Sequence, residues 1–167
     1  CFSGHIRCAT LLLENGAYVP AKENNGMTAL MHVATAGSTD GLDFIDKLLK
    51  TFPGDKCRIK YVNEQDILGK TAIMRAYNID MLQKLIDAGA DVNIHDNDGM
   101  TPMMHFAEVN LYKNIDLISK YGADPLKKNI RGESAARIAF NKSVVINGQS
   151  ALSSVIDILE NKFGGLK

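Results

Sequence analysis

Residues 96–125 read DNDGMTPMMHFAEVNLYKNIDLISKYGADP, and the other segments of the chain read as imperfect copies of them. The stretch opens with a polar turn, Asp96-Asn97-Asp98-Gly99, whose glycine can take the positive φ of a tight turn at low steric cost. Thr101-Pro102 follows as a helix start. The threonine is placed to cap, and the proline sits at the first helical position, where a missing N–H does no harm. Met103, Met104, Phe106 and Ala107 form a short apolar helix ending near Asn110; a second helix carries Ile115, Leu117 and Ile118 and ends at Gly122, a left-handed C-cap. Neither helix can bury its apolar face alone. A unit of this size must stack on neighbours of its own kind.

Those neighbours are present. Aligned on the turn glycine and cap, the copies are Gly26-Met27-Thr28-Ala29-Leu30, Gly69-Lys70-Thr71-Ala72-Ile73, Gly99-Met100-Thr101-Pro102-Met103 and Gly132-Glu133-Ser134-Ala135-Ala136. Helix ends align as Gly16-Ala17, Gly89-Ala90-Asp91-Val92-Asn93 and Gly122-Ala123-Asp124-Pro125. With these landmarks the chain resembles the ankyrin repeat, whose units run to about 33 residues and carry T-P-L-H-x-A. The resemblance implies an all-α solenoid of stacked helix-turn-helix units joined by short β-hairpin loops. Thr28 to Thr71 is 43 residues, Thr71 to Thr101 is 30 and Thr101 to Ser134 is 33, so the array is degenerate. Its expected units are 1–21 (partial), 22–61, 62–93, 94–125 and 126–163, the last a C-terminal cap, with 164–167 as tail or linker.

Composition narrows the function. Lys plus Arg and Asp plus Glu are both 19, a formal net charge of zero, which gives no footprint for nucleic acid or an anionic membrane. No aliphatic run exceeds three residues, as in Leu11-Leu12-Leu13, which is far too short to insert into a bilayer. Three cysteines, Cys1, Cys8 and Cys57, without C-x-x-C spacing, argue for a reducing compartment and against a disulfide framework or a zinc site. We therefore expect an intracellular, cytoplasmic protein, or one delivered into a host cytoplasm if it is a bacterial effector.

Taken in order, Gly4-His5 through Gly16-Ala17 matches only the second half of a unit, with Leu12 and Leu13 in the paired-leucine place. This reads as a piece of a longer protein, since a start inside a unit would expose an apolar flank. In the second unit Leu30, Met31, Val33 and Ala34 mark helix A and Phe44, Ile45, Leu48 and Leu49 mark helix B; three extra residues are assigned to the loop 37–41. The insertion 53–61 alternates Lys56, Arg58 and Lys60 with Cys57, Ile59 and Tyr61, a strand period. The third unit is short by three, assigned to the turn at 77–79. In the fifth, Ser134 is the cap, Ile138, Ala139 and Phe140 lie on helix A, 141–148 is a widened loop, and 150–163 is an amphipathic terminal helix.

No catalytic constellation is legible: there is no G-x-S-x-G, G-x-x-x-x-G-K-[ST], H-E-x-x-H or glycine-rich dinucleotide turn. No cofactor or metal is expected. The family's histidine is replaced by Met31, Met74, Met104 and Arg137, so soft methionine packing stands in for polar links between repeats. His32 and His105 lie one place further on, matched by Arg75, and belong to alternate repeats too distant to share one metal; a row of polar residues on the inner surface is the preferred reading. Cys57 beside Lys56 and Arg58 could favour the thiolate, but a small residue in an inserted loop is the simpler account.

The resemblance implies a binding surface made of hairpin tips and helix A. On it the candidate partner-contacting residues are Asn24, Asn25, Met27 and His32; Gln65, Ile67, Leu68, Lys70 and Arg75; His95, Asn97, Asp98, Met100 and His105; and Ile130 and Arg131. Ile67 and Leu68 are either exposed anchors or packed onto a neighbouring hairpin or the insertion. A non-catalytic protein-binding module follows, with a targeting or substrate-positioning part of a larger multidomain enzyme, such as a secreted bacterial effector, as the alternative.

Overall fold

The computed structural model describes residues 2–16 and 20–145. The expected terminal helix 150–163, the tail 164–167 and the end of the widened loop lie outside the described residues. Among the described residues there are eight α-helices and one 3-10 helix, and all but one of them fill one of two alternating roles. The helix-A places are α2 (Ala29–Ala36), the 3-10 helix Ile73–Arg75, α6 (Pro102–Glu108) and α8 (Ala135–Val145). The helix-B places are α1 (Phe2–Glu14), α3 (Thr39–Lys50), α5 (Ile79–Asp87) and α7 (Tyr112–Lys120), while α4 (Asp55–Val62) occupies the insertion.

The helix starts follow from cap chemistry. Met31 N–H donates to Thr28 Oγ1 at 3.3 Å and Met104 N–H to Thr101 Oγ1 at 3.4 Å, with Pro102 at the first helical position. Asn78 caps α5 by accepting from Asp80 N–H and Met81 N–H. Helix A buries Leu30, Met31, Val33 and Ala34 in α2, and every residue from Pro102 to Ala107 in α6. Met31, Met74 and Met104 are all fully buried, which is the methionine packing expected at the family's histidine place.

The chain divides into two compact units, Cys1–Asp91 and Val92–Lys167. Within the first, α1 packs on α3, α2 packs on α3 and on the 3-10 helix, and α5 packs on α3 and the 3-10 helix. Within the second, α6 packs on both α7 and α8.

Several expectations are corrected. The three extra residues of the second unit do not widen a loop: only Gly37 and Ser38 separate α2 from α3, and α3 has 12 residues where α5 and α7 have 9. Gly37 closes α2 in the left-handed conformation and Ser38 opens α3 at once, so the insertion becomes one more turn of helix. The deletion in the third unit shortens helix A to three residues rather than trimming the turn, and the N-cap of that helix is Ala72. Thr71 therefore caps nothing; it is fully buried with its hydroxyl unpartnered.

The insertion is a helix, not a strand. Lys56, Cys57, Ile59 and Lys60 are exposed and only Tyr61 and Val62 are buried, so the alternation in sequence corresponds to no buried face. Ile59 nevertheless abuts Gly89, whose φ is +95° and where an added Cβ would lie 2.7 Å from Ile59 Cγ1. In the fifth unit Phe140 is exposed, while Ile138 and Ala139 are buried, and α8 continues through 141–145, where a loop was expected.

Candidate functional site

Among the described residues four hairpin tips precede the helix-A segments, and each is closed by a backbone pair four residues apart. Glu23 N–H donates to Met27 O, Asp66 N–H to Lys70 O, Asp96 N–H to Met100 O and Asn129 N–H to Glu133 O, all at 2.9–3.0 Å. These, with the antiparallel bridge between Lys22 and Thr28, are the hairpin loops. Three tips carry a second lock. Asp66 Oδ1 accepts from Leu68 N–H and Lys70 N–H, Asp96 Oδ1 from Asp98 N–H and Met100 N–H, and Asn129 Oδ1 from Arg131 N–H and Glu133 N–H. A short acceptor at the first tip residue satisfies donors that a turn leaves free.

A carboxylate oxygen of the first tip residue also reaches helix A in three tips, the second oxygen in the case of Asp66 and Asp96. Asp66 Oδ2 accepts from the Arg75 guanidinium, Asp96 Oδ2 lies 2.8 Å from His105 Nε2, and Glu23 Oε1 lies 2.8 Å from His32 Nε2. In each case acid and base are nine residues apart. The fourth tip breaks the rule consistently: Asn129 offers an amide, and nine residues on stands Ile138, buried and apolar. The Asn129 amide instead donates to Glu133 Oε2 at 3.1 Å and to Met100 Sδ at 3.4 Å.

Neighbouring tips are tied by backbone. Ile67 N–H donates to Asn25 O in the first compact unit, and Ile130 N–H to Asp98 O in the second, both at 3.0 Å. The approach is close enough that a Cβ on Gly26 would lie 3.0 Å from Asp66 Cα, and one on Gly99 3.1 Å from Ile130 N. Lys22 adds a side-chain link, reaching Gln65 O at 3.1 Å and the Glu64 carboxylate.

The side chains above this backbone sort clearly. Asn24, Asn25, His32, Gln65, His95, Asn97, Asp98 and Arg131 are exposed, and Met27, Lys70, Arg75 and Met100 are half-buried. Ile67, Leu68 and Ile130 are 65%, 56% and 71% exposed, so none of the three packs away its side chain on an adjacent hairpin. His105 differs from the expected polar row: its side chain is only 10% exposed, against 48% for His32, and it faces Asp96 rather than solvent. The residues that the sequence reading missed are Asp66, Asp96 and Asn129, the buried locks; the nine-residue acid–base spacing is the signal that would have found the two aspartates, and the shared place three residues before Gly69, Gly99 and Gly132 the one that would have found Asn129.

On the helix-B side, exposed ion pairs link successive helices: Lys47 with Glu14 and Lys84 with Asp46. Cys8 and Cys57 are free and exposed. No group of three metal-ligating side chains occurs among the described residues, and no helix among them is long and apolar enough to cross a membrane.

A family model described as Ankyrin repeats (3 copies) matches residues 40–129. An ankyrin repeat protein of Rickettsia bellii is 38% identical over 79 residues, covering 41% of this chain and 81% of the relative. An ankyrin repeat-containing protein of Schizosaccharomyces pombe is 37% identical over 79 residues, covering 46% of this chain and 37% of the relative. The human BCL-6 corepressor-like protein 1 is 33% identical over 121 residues, 70% of this chain but 6% of that protein. The chain thus spans well under two thirds of the length of the yeast and human relatives.

Proposed function

We propose that this chain, which belongs to the ankyrin-repeat family, is a non-catalytic module that binds a partner protein through its tips. Arrays of this family are in general protein–protein interaction modules. The observation that carries the finer reading is the pairing of exposed apolar side chains with locked backbone: Ile67 and Leu68 stand on the Asp66 turn, and Ile130 on the Asn129 turn. A tip already ordered loses little conformational entropy on binding, so its apolar side chains convert contact into affinity efficiently. Polar neighbours, Asn24, Asn25 and Gln65 in the first unit and His95, Asn97, Asp98 and Arg131 in the second, form the rim such anchors require. Two free, exposed cysteines fit a reducing intracellular setting.

A second reading, in which the module positions substrates or targets a larger multidomain enzyme such as a secreted effector, is favoured by the greater length of the yeast and human relatives. The test for the first reading is capture of a partner by the chain and by variants. Leu68→Asp should weaken the complex tenfold or more, about 1.4 kcal/mol, with unchanged circular dichroism, and Ile130→Asp should behave alike if the second unit's tips also engage. Lys47→Glu and Lys84→Glu, on the helix-B side, should bind normally. Normal binding by Leu68→Asp together with loss in the lysine variants would move the interface to the opposite side.

A further inference from the structure

The insertion builds a surface that the repeat itself does not supply. Between α3 and the tip at Asp66 stands α4, whereas no helix separates α5 from the tip at Asp96 or α7 from the tip at Asn129. Of its eight residues α4 buries only Tyr61 and Val62, so it is anchored at its C-terminal end and turns most of its length to solvent. Charge collects there although the chain as a whole is neutral: residues 50–60 hold Lys50, Lys56, Arg58 and Lys60 against Asp55 alone. A hollow of about 310 Å³ opens where α4 meets the last turns of α3 and α5, with Leu49 and Ala88 as its apolar part. The two acids that line it, Asp46 and Asp87, are already engaged: Asp46 Oδ2 lies 2.6 Å from Lys84 Nζ, and Asp87 Oδ1 accepts from Gln83 Nε2 at 2.8 Å. Its cations are less well matched. Lys50 is exposed and makes no ion pair among the described residues; Arg58 meets only the exposed Asp55, at 2.9 Å, and its Nε is buried with no hydrogen-bond partner among them. A solvent-exposed pair of that kind contributes little, so a ligand can compete for the guanidinium.

We propose that this hollow binds an acidic segment of a partner protein, taking one carboxylate at Lys50 and Arg58 and an adjoining aliphatic side chain on Leu49 and Ala88. Charge complementarity and size single out this occupant. The planar guanidinium fork matches a carboxylate with two parallel hydrogen bonds, and Lys50 supplies the second positive charge. Lys56 and Lys60, solvated on the same insertion, draw an acidic segment towards α4 by their field. Asp46 and Asp87 disfavour a nucleic acid or an anionic lipid surface, because a continuous polyanion would be pressed against both carboxylates, whereas a single acidic side chain needs only the cationic edge. The site shares no residue with the tips and stands or falls separately from them.

Fluorescence anisotropy of a fluorescein-labelled Glu-Glu-Leu-Glu-Glu peptide, titrated with the full chain, tests this. Binding should saturate, weaken at least threefold when serine replaces the leucine, and weaken as salt rises, since exposed charges are screened. Lys50→Gln with Arg58→Gln should cost at least tenfold with unchanged circular dichroism. Lys50→Gln alone, at an exposed residue, should cost at least threefold, so the outcome does not hang on how the Arg58 variant folds. Lys113→Gln with Lys120→Gln removes the same charge from exposed places on the second compact unit and should leave the titration unchanged, as should Leu68→Asp at a tip. Absence of saturable binding overturns the proposal. So does an equal loss in the Lys113 and Lys120 variant, which would reduce the effect to overall charge, or tighter binding to duplex DNA or to phosphatidylserine vesicles than to the peptide.

Discussion

Two threonines in equivalent places make opposite predictions at the scale of a single residue. Thr101 caps α6 through Met104 N–H, whereas Thr71 precedes a helix that has shrunk to three residues and holds its buried hydroxyl without a partner. A cap lost costs about 1 kcal/mol, and an unpaired buried hydroxyl is itself a penalty of about 1–3 kcal/mol. Thr101→Val should therefore destabilise by about 1 kcal/mol and Thr71→Val should stabilise by a similar amount, both measured by urea denaturation; the same sign for both would remove the argument. Tyr61 is the second residue with a defined expectation. Its ring stacks at 4.7 Å on Phe52, and burial raises the hydroxyl above its ordinary value of 10.0, opposed by Thr28 and Leu30 and reinforced by Glu64. A pKa raised in the folded state contributes stability that is full below the unfolded value and lost as pH rises through the folded one. The stability gap between the protein and Tyr61→Phe should thus be flat from neutral pH up to about 9, and shift in favour of phenylalanine above about 10. A gap that stays flat at alkaline pH would mean that the Tyr61 hydroxyl titrates alike in the folded and unfolded chain, so that burial exerts no net effect on it.

At the scale of the element, the tip and its helix A form one unit through a single carboxylate. Asp96 accepts two backbone N–H groups with Oδ1 in part-buried hydrogen bonds and faces buried His105 with Oδ2, so alanine there leaves three groups without this partner. Asp96→Ala should cost about 2–3 kcal/mol. Asp96→Asn should cost less, because Asn129 already shows that an amide oxygen can hold the same two turn donors. A denaturation series in which the asparagine variant is no better than alanine would place the stabilisation in the His105 contact alone. This device also explains what was legible in the sequence and what was not. Caps, turn glycines and the paired apolar positions are local chemistry, and local chemistry repeats visibly: Thr28, Thr101 and the tip glycines were readable one by one. The Asp66–Arg75 and Asp96–His105 pairs span nine residues across a change from turn to helix, so no single periodicity displays them. In the insertion the misleading signal was a six-residue alternation. It was too short to separate strand from helix, because α4 buries only its last two residues, and of its charges Asp55, Lys56 and Lys60 are exposed while Arg58 is half-buried. Length changes were legible as numbers but not as places. Whether three residues enter a loop or a helix depends on where the nearest cap can re-form, as Ser38 does at α3.

At the scale of the whole molecule, a repeat array holds itself together through neighbours, so an irregular unit weakens what touches it and little else. The second compact unit keeps regular length between Thr101 and Ser134, buries every residue of α6 from Pro102 to Ala107, and sets Phe106, Ile115 and Ile118 fully inside. The first compact unit carries the insertion, the lengthened α3 and the three-residue 3-10 helix, where an 8-residue α2 and a 7-residue α6 stand in the corresponding places. Fewer backbone hydrogen bonds close a shortened helix, and its opening exposes less apolar surface, so its local opening free energy is lower. Native-state hydrogen exchange should accordingly find the slowest amides between Met103 and Ile118 and markedly faster ones at Ile73–Arg75 and Ala76, although Ile73, Met74 and Ala76 are just as inaccessible in the static fold. Burial alone predicts equal protection for the two segments, whereas neighbour-limited stability predicts a difference of tenfold or more, about 1.4 kcal/mol in opening free energy. Uniform protection across both would mean that the array unfolds only as one cooperative body, and the irregular third unit would then carry no weakness of its own.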